Sequence, residues 1–157
     1  MNQIFITFLA SFLIWFMFAG LLILWLFKKN IRSQHVVHAV LVSFIAFGIS
    51  QIIKAIFPSL RPFQTMGTIP LTLTTPIDPA FPSSHSSAAF ALAMSVQRYD
   101  RRAGFVFVVS AIMVSMGRVL SNVHYYIDIF GGAIIGILSV FIFEKIYEKG
   151  LLNLRKH

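Results

Sequence analysis

Long uncharged runs, separated by short basic or proline-rich stretches, set the coarse pattern of this chain. Ile4 to Phe27 is uncharged for 24 residues and Val36 to Ile53 carries no Lys, Arg, Asp or Glu for 18, lengths at which a helix crosses the apolar layer of a bilayer. Ser83 to Gln97, Ala103 to Gly117 and Ile129 to Phe143 are runs of 15 residues each. They reach across once flanking residues are included and polar ends snorkel to the interface. The pattern predicts an all-α fold: a polytopic transmembrane helical bundle of about five crossings, forming a single membrane-embedded domain over 1–157. The first run has no basic residue before it and exceeds the apolar core of a signal peptide, so it is expected to remain as a crossing.

All six prolines, Pro58, Pro62, Pro70, Pro76, Pro79 and Pro82, lie between the second and third runs, and that density excludes a helix through the segment. Phe63, Met66, Ile69, Leu71, Leu73, Ile77 and Phe81 dot the same stretch. A long loop of this composition suits a lid lying in the headgroup layer; a plain structured connector is the alternative.

Composition narrows the class further. With 57% hydrophobic and 11% charged residues in 157, the chain is too apolar for a soluble domain of its size. It has no cysteine, which removes disulfides, thiolate chemistry and cysteine zinc sites. The formal charge of +8 would suit a nucleic-acid partner if it formed an aromatic-interleaved patch, but its distribution follows the crossings instead. Lys28, Lys29, Arg32, Arg98, Arg101, Arg102, Lys145, Lys149, Arg155 and Lys156 all fall on one side of a five-crossing bundle. The positive-inside rule makes that side cytoplasmic, with the N-terminus outside and the C-terminus inside. Lys54, Arg61 and Arg118 remain on the outer side, where substrate binding is the reason open to them.

The outer side also gathers the chemistry. His124 and Asp128 are four apart, a spacing that lets the carboxylate hold one ring nitrogen and leave the other bare. Arg118 stands close by in sequence, and such a trio suits attack on an anionic group. A buried ion pair is the plainer reading of the same residues. Phe81-Pro82-Ser83-Ser84-His85 reads as a helix start whose free N–H groups and hydroxyls favour phosphate, or as an ordinary cap. Gly132 and Gly136 form a G-x-x-x-G expected to pack helices within the bundle. His35 and His38, three apart, lack the partners a metal site needs. Asp78 and Asp128 are the outer carboxylates, too few for two metals if Asp128 serves His124.

Lys54-x6-Arg61-Pro62, Pro82-Ser83-Ser84-His85 and Arg118-x5-His124-x3-Asp128 together resemble the three-part signature of the type 2 phosphatidic acid phosphatase superfamily. The resemblance covers residues 54–128. It departs in two places, with Ser84 where the family usually has glycine and Gly117 where it usually has serine; Ser115 or Ser121 could supply the missing hydroxyl. Membrane members also commonly have six crossings.

The resemblance implies a membrane lipid phosphatase with no cofactor and no metal. His124 would be the nucleophile, forming a phosphohistidine, Asp128 its orienting acid and His85 the general acid and base. Lys54, Arg61, Ser83, Ser84 and Arg118 would bind the substrate phosphate. Family members of this kind act on undecaprenyl diphosphate, phosphatidylglycerol phosphate or phosphatidic acid, and hydrolysis of undecaprenyl diphosphate to undecaprenyl phosphate is the first expectation. A lipid phosphotransferase is the alternative within enzymes, and a small transporter or channel the alternative outside them. The expected partners are a lipid phosphate and membrane lipids, with no nucleic acid. The expected location is a bacterial cytoplasmic membrane, active site on the extracytoplasmic face.

Overall fold

The computed structural model describes residues 2–28 and 31–154, with side chains described as far as residue 146. Lys29, Arg155, Lys156 and His157 lie outside the described residues. Asn2 caps α1 (Gln3–Thr7) by accepting from the Ile4 N–H at 3.1 Å. A π-helical turn, Phe8–Phe12, joins it to α2 (Leu13–Phe27), making one apolar rod. Then come α3 (Ser33–Ile56), a short α4 (Pro62–Met66), α5 (Ser84–Tyr99), α6 (Arg101–Leu120) and α7 (Tyr126–Leu154). Asp100 ends α5 and caps α6 through the Ala103 N–H at 2.9 Å, so two helices meet at one residue. Among the described residues there is no strand.

One expectation needs correcting. The proline-rich segment does contain a helix, α4. Pro62 occupies its first turn, where a missing N–H costs nothing, and Gly67 stops it at φ +62°.

The long helices alternate in direction between two ends. At one end Lys28 pairs with Asp100 at 2.5 Å, Arg98 pairs with Glu144, and His35 stacks on Tyr99 with ring centroids 4.0 Å apart. The basic residues Arg32, Arg101, Arg102 and Lys145 belong to this end by their position along the helices. At the other end lie Lys54, Arg61 and Arg118.

The helix α5 is the centre of the bundle, in contact with α3, α6 and α7. Ala88, Ala89, Ala91, Leu92, Ala93 and Val96 are buried along it. Small side chains let neighbouring backbones approach closely, the usual source of helix association where lipid removes the hydrophobic drive. Gly132 and Gly136 of α7 meet α5 in this way: a Cβ at Gly132 would stand 2.5 Å from the Ser83 carbonyl, and one at Gly136 2.9 Å from the Ala91 nitrogen. The G-x-x-x-G thus packs within the bundle. Serine hydroxyls join the same interfaces, Ser50 to Ser87 at 2.6 Å and Ser115 to Ser86 at 2.9 Å.

Trp15, Phe16, Phe44, Phe105, Phe130 and Phe141 project outward from these rods. Such an apolar exterior is covered in lipid, not in water. Gln3–Phe27, Ser33–Ile56, Arg101–Leu120 and Tyr126–Ile146 are long and apolar enough to cross a membrane. With 16 residues, α5 is shorter, roughly 24 Å at 1.5 Å per residue. It runs between the same two ends inside the other helices. The fold is an all-α transmembrane bundle.

Candidate active site

The turn after α6 places the imidazole. Ser121 donates to the Arg118 carbonyl at 3.1 Å, and Asn122 adopts φ +60°, a left-handed conformation that asparagine tolerates. The N–H groups of Val123 and His124 both reach the Arg118 carbonyl at 3.3 Å. One Asp128 oxygen accepts from the Tyr125 N–H at 2.8 Å and faces His124 Nδ1 at 3.3 Å. His124 therefore sits just before α7 and not on it, and the four-residue pairing works because Asp128 is in the first turn. Both side chains are buried.

The carboxylate assigns the ring proton to Nδ1 and leaves Nε2 with a lone pair. Burial pushes the His124 pKa well below its ordinary 6.5, and Arg118, Arg61 and Lys54 push it further the same way. The neutral, nucleophilic form is favoured.

A cavity of about 290 Å³ opens beside His124. Lys54, Arg61, Ser84, His85, Arg118 and His124 all contribute to its wall, so the structure brings together six of the eight residues singled out in the sequence. Asp128 stands behind His124. Ser83 does not line the cavity: its hydroxyl accepts from Ser86 Oγ at 3.1 Å and caps α5.

The cations differ in how they are held. Arg118 Nη1 donates to the Ala10 carbonyl at 3.1 Å, while its buried Nε has no protein partner. Ser84 Oγ is likewise buried without one. Both residues line the cavity through other atoms, and His38, Ser95 and Gln97 carry similar buried unpartnered atoms away from it. Arg61, by contrast, is fully engaged. Its Nε donates to the Asp78 carbonyl at 2.8 Å, and Nη2 to Asp78 Oδ1 at 2.9 Å and the Pro79 carbonyl at 3.2 Å. Its Nη1 donates to the Val123 carbonyl at 2.9 Å and lies 3.3 Å from His124 Nε2. Lys54 pairs with the other Asp78 oxygen. Burial alone would raise the Asp78 pKa, but the Lys54 hydrogen bond and the charges of Lys54 and Arg61 hold it below the usual value.

Sequence reasoning had Asp78 only as an outer carboxylate. Its pairing with Lys54 and Arg61, 24 and 17 residues away, follows no periodicity that a sequence displays. Neither of the two serines that the sequence left open as substitutes for a hydroxyl at position 117 lines the cavity: Ser115 bonds Ser86, and Ser121 bonds the Arg118 carbonyl. Glycine at 117 has a packing reason, since a Cβ there would lie 2.7 Å from Leu9 Cβ and 2.8 Å from the Ala10 nitrogen. The first helix approaches closely enough for Ala10 to hold Arg118.

An all-α membrane bundle with a cationic cavity around a carboxylate-held histidine defines an integral membrane protein fitted to a phosphorylated group. The PAP2 superfamily profile matches residues 35–150, and the chain belongs to that superfamily. It is 29% identical over 139 residues to the bacitracin transport permease protein BcrC of Bacillus licheniformis, and 26% identical over 125 residues to the undecaprenyl-diphosphatase BcrC of Bacillus subtilis. The matches cover 88% and 80% of this chain but 68% and 64% of those relatives. The chain therefore spans about two thirds of their length. The Aquifex aeolicus LpxE crystal structure superposes with a TM-score of 0.73 at 24% identity, over 91% of this chain and 85% of that one. A PAP2-type phosphatidylglycerolphosphate phosphatase from Bacillus subtilis gives 0.64 at 23%, over 94% and 75%. These two likenesses concern the fold.

Two outcomes follow from this geometry. Gly117→Ser, although it restores the family's usual residue, should lower the melting temperature in detergent and weaken phosphate binding. Overpacking against backbone costs about 1–3 kcal/mol and pushes Ala10 off Arg118. In nitrogen NMR of the free protein at pH 6, where an ordinary imidazole is mostly charged, His124 should remain neutral with its proton on Nδ1. A lowered pKa keeps the neutral form down to more acid pH, so titration of His124 near 6.5 would contradict its burial.

Proposed function

We propose that this chain hydrolyses undecaprenyl diphosphate to undecaprenyl phosphate and inorganic phosphate on the outer face of a bacterial cytoplasmic membrane. The observation that carries the reading is the cavity whose wall joins His124 to Lys54, Arg61 and Arg118, with Arg61 Nη1 3.3 Å from His124 Nε2. The family and the undecaprenyl-diphosphatase relative support a membrane lipid phosphatase. The relative's name supports the diphosphate.

In the proposed first step His124 Nε2 attacks the terminal phosphorus and the bond to the bridging oxygen breaks. Asp128 stabilises the imidazolium charge that develops. Lys54, Arg61 and Arg118 bind the equatorial oxygens, with Ser84 beside them. His85, in the first turn of α5 and on the cavity wall, gives its proton to the leaving oxygen. In the second step it takes a proton from water, which attacks phosphorus, and the nitrogen–phosphorus bond breaks. The three cations provide the electrostatic work for which many phosphatases use metals.

The loop beside the site supports a lipid substrate. Ile69 is 87% exposed, Leu73 67% and Ile77 97%, an apolar fringe that suits contact with the outer leaflet. Trp15, Phe47 and Leu73 continue it into the cavity wall.

Purified protein should release phosphate from undecaprenyl diphosphate faster than from phosphatidylglycerol phosphate or phosphatidic acid, with activity kept in chelator. A preference for either glycerolipid would move the assignment to it; release from none would end the phosphatase reading. His124→Ala should lose ~10³-fold or more while staying folded. In single turnovers His85→Ala should slow phosphoryl transfer from monophosphates far more than from diphosphates. An alkoxide leaving group has a conjugate acid near the pKa of water, roughly 16, whereas a phosphate monoester leaves with a pKa of about 6.

The proposed orientation sets the basic end inside, with five crossings and an outer N-terminus. A cysteine at Arg101 should resist a membrane-impermeant reagent in intact cells and react after lysis. Labelling in intact cells would invert the topology and move the active site to the cytoplasm.

A further inference from the structure

Asp78 lies where an anionic ligand of this cavity would lie. One of its oxygens meets Lys54 and the other meets Arg61 Nη2 at 2.9 Å. A carboxylate bridging two cations through two oxygens makes the contacts that two phosphoryl oxygens would make. Arg61 has five N–H donors, and three of them go to Asp78 and Pro79. With the other two directed at Val123 and His124 Nε2, Arg61 has no donor left for phosphate in this arrangement. The Nη1 contact also sits on the lone pair that would attack phosphorus.

The segment bearing Asp78 is tied down at both ends and held in the middle by these ion pairs. On one side Leu71 N–H donates to the Ser121 carbonyl at 3.0 Å and Leu73 N–H to Ser11 Oγ at 3.1 Å. On the other, Ala80 N–H and Phe81 N–H are bound by Ser59 at 3.0 and 2.8 Å. Among the described residues, the hydrogen bonds of 74–79 run to Thr72, Lys54 and Arg61. Pro76 and Pro79 lack N–H donors altogether.

We propose that Asp78 is a built-in competitor for the phosphate site. It occupies Lys54 and Arg61 between turnovers, is displaced when a substrate phosphoryl group takes those cations, and returns to help expel inorganic phosphate. The proposal rests on the reading of the cavity as a phosphoryl site. Its effect is unequal between ligands. A lipid substrate is concentrated in the membrane and is also bound by its chain, so a uniform loss of affinity costs it little turnover. Free phosphate, the product, has only its oxygens to set against the carboxylate. Asp78 thus keeps the product from occupying the site.

The experiment measures binding of inorganic phosphate and vanadate to the purified full chain, by inhibition constants and by the rise in Tm that each ligand produces. Asp78→Asn should tighten both ligands about tenfold or more, and Asp78→Glu, which keeps the charge, should stay near the native protein. Should Asp78→Asn be poorly folded without anion, phosphate should raise its Tm more than it raises that of the native chain. Asp78→Ser supplies a second neutral variant for the same comparison. Unchanged or weaker phosphate and vanadate binding in the neutral variants would overturn the proposal and make Asp78 a residue that positions Lys54 and Arg61 for substrate. Failure of the native chain to release phosphate from any lipid is a separate result, and it would remove the phosphatase reading itself.

Discussion

Lys54, Arg61 and Arg118 converge on one buried cavity, and much of the architecture at that end answers the repulsion and desolvation this creates. Like charges a few ångströms apart repel, and removing each from water carries a penalty of several kcal/mol. Asp78 offsets two of the three. Main-chain carbonyls of Asp78, Pro79 and Val123 take three more donors of Arg61, and that of Ala10 takes one from Arg118. The same positive field helps keep His124 neutral, so one charge distribution both attracts a phosphate and preserves the base that attacks it.

Holding such a cluster requires a stiff frame, and α5 supplies it. Its alanine-rich surface allows α3, α6 and α7 to approach together, and each of them brings a site residue at its end or beyond it. Lys54 comes from the last turn of α3, Arg118 from the last turn of α6, and Asp128 from the first turn of α7. Ser84 and His85 open α5 itself. Close backbone contact between helices therefore sets the distances within the cavity, and Ser83, capping α5 while its N–H donates to the Asp128 carbonyl at 3.0 Å, links two of these elements.

Whatever depends on one-dimensional pattern was legible in the sequence. The apolar runs gave the helices, the basic clusters gave one end of the bundle, and Lys54, Arg61, His85, Arg118 and His124 were marked out and do share a cavity. Contacts without periodicity were not legible. Asp78 reaches its cations across an irregular loop, and nothing in its neighbours announces the pairing. Ser83 stands in the same short motif as Ser84, yet only the geometry of the helix start decides which of the two residues lines the cavity. The π-helical turn at Phe8–Phe12 has no signature in a run that is apolar throughout. The short α4 was hidden because proline density argues against helix in general, while one proline at a first turn argues for it.

The contact between Gly117 and the first helix bears on how such proteins diverge. Leu9 and Ala10 meet position 117 closely, 108 and 107 residues away in the chain, so the N-terminal helix is a wall of the reaction chamber, through Ser11 and Trp15, as well as a lipid-facing rod. A first helix shaped to meet a larger side chain at position 117 would bring a mismatched surface to this one. The two positions should therefore change hands together, and a chimera that moves one without the other would assemble its arginine against the wrong neighbour.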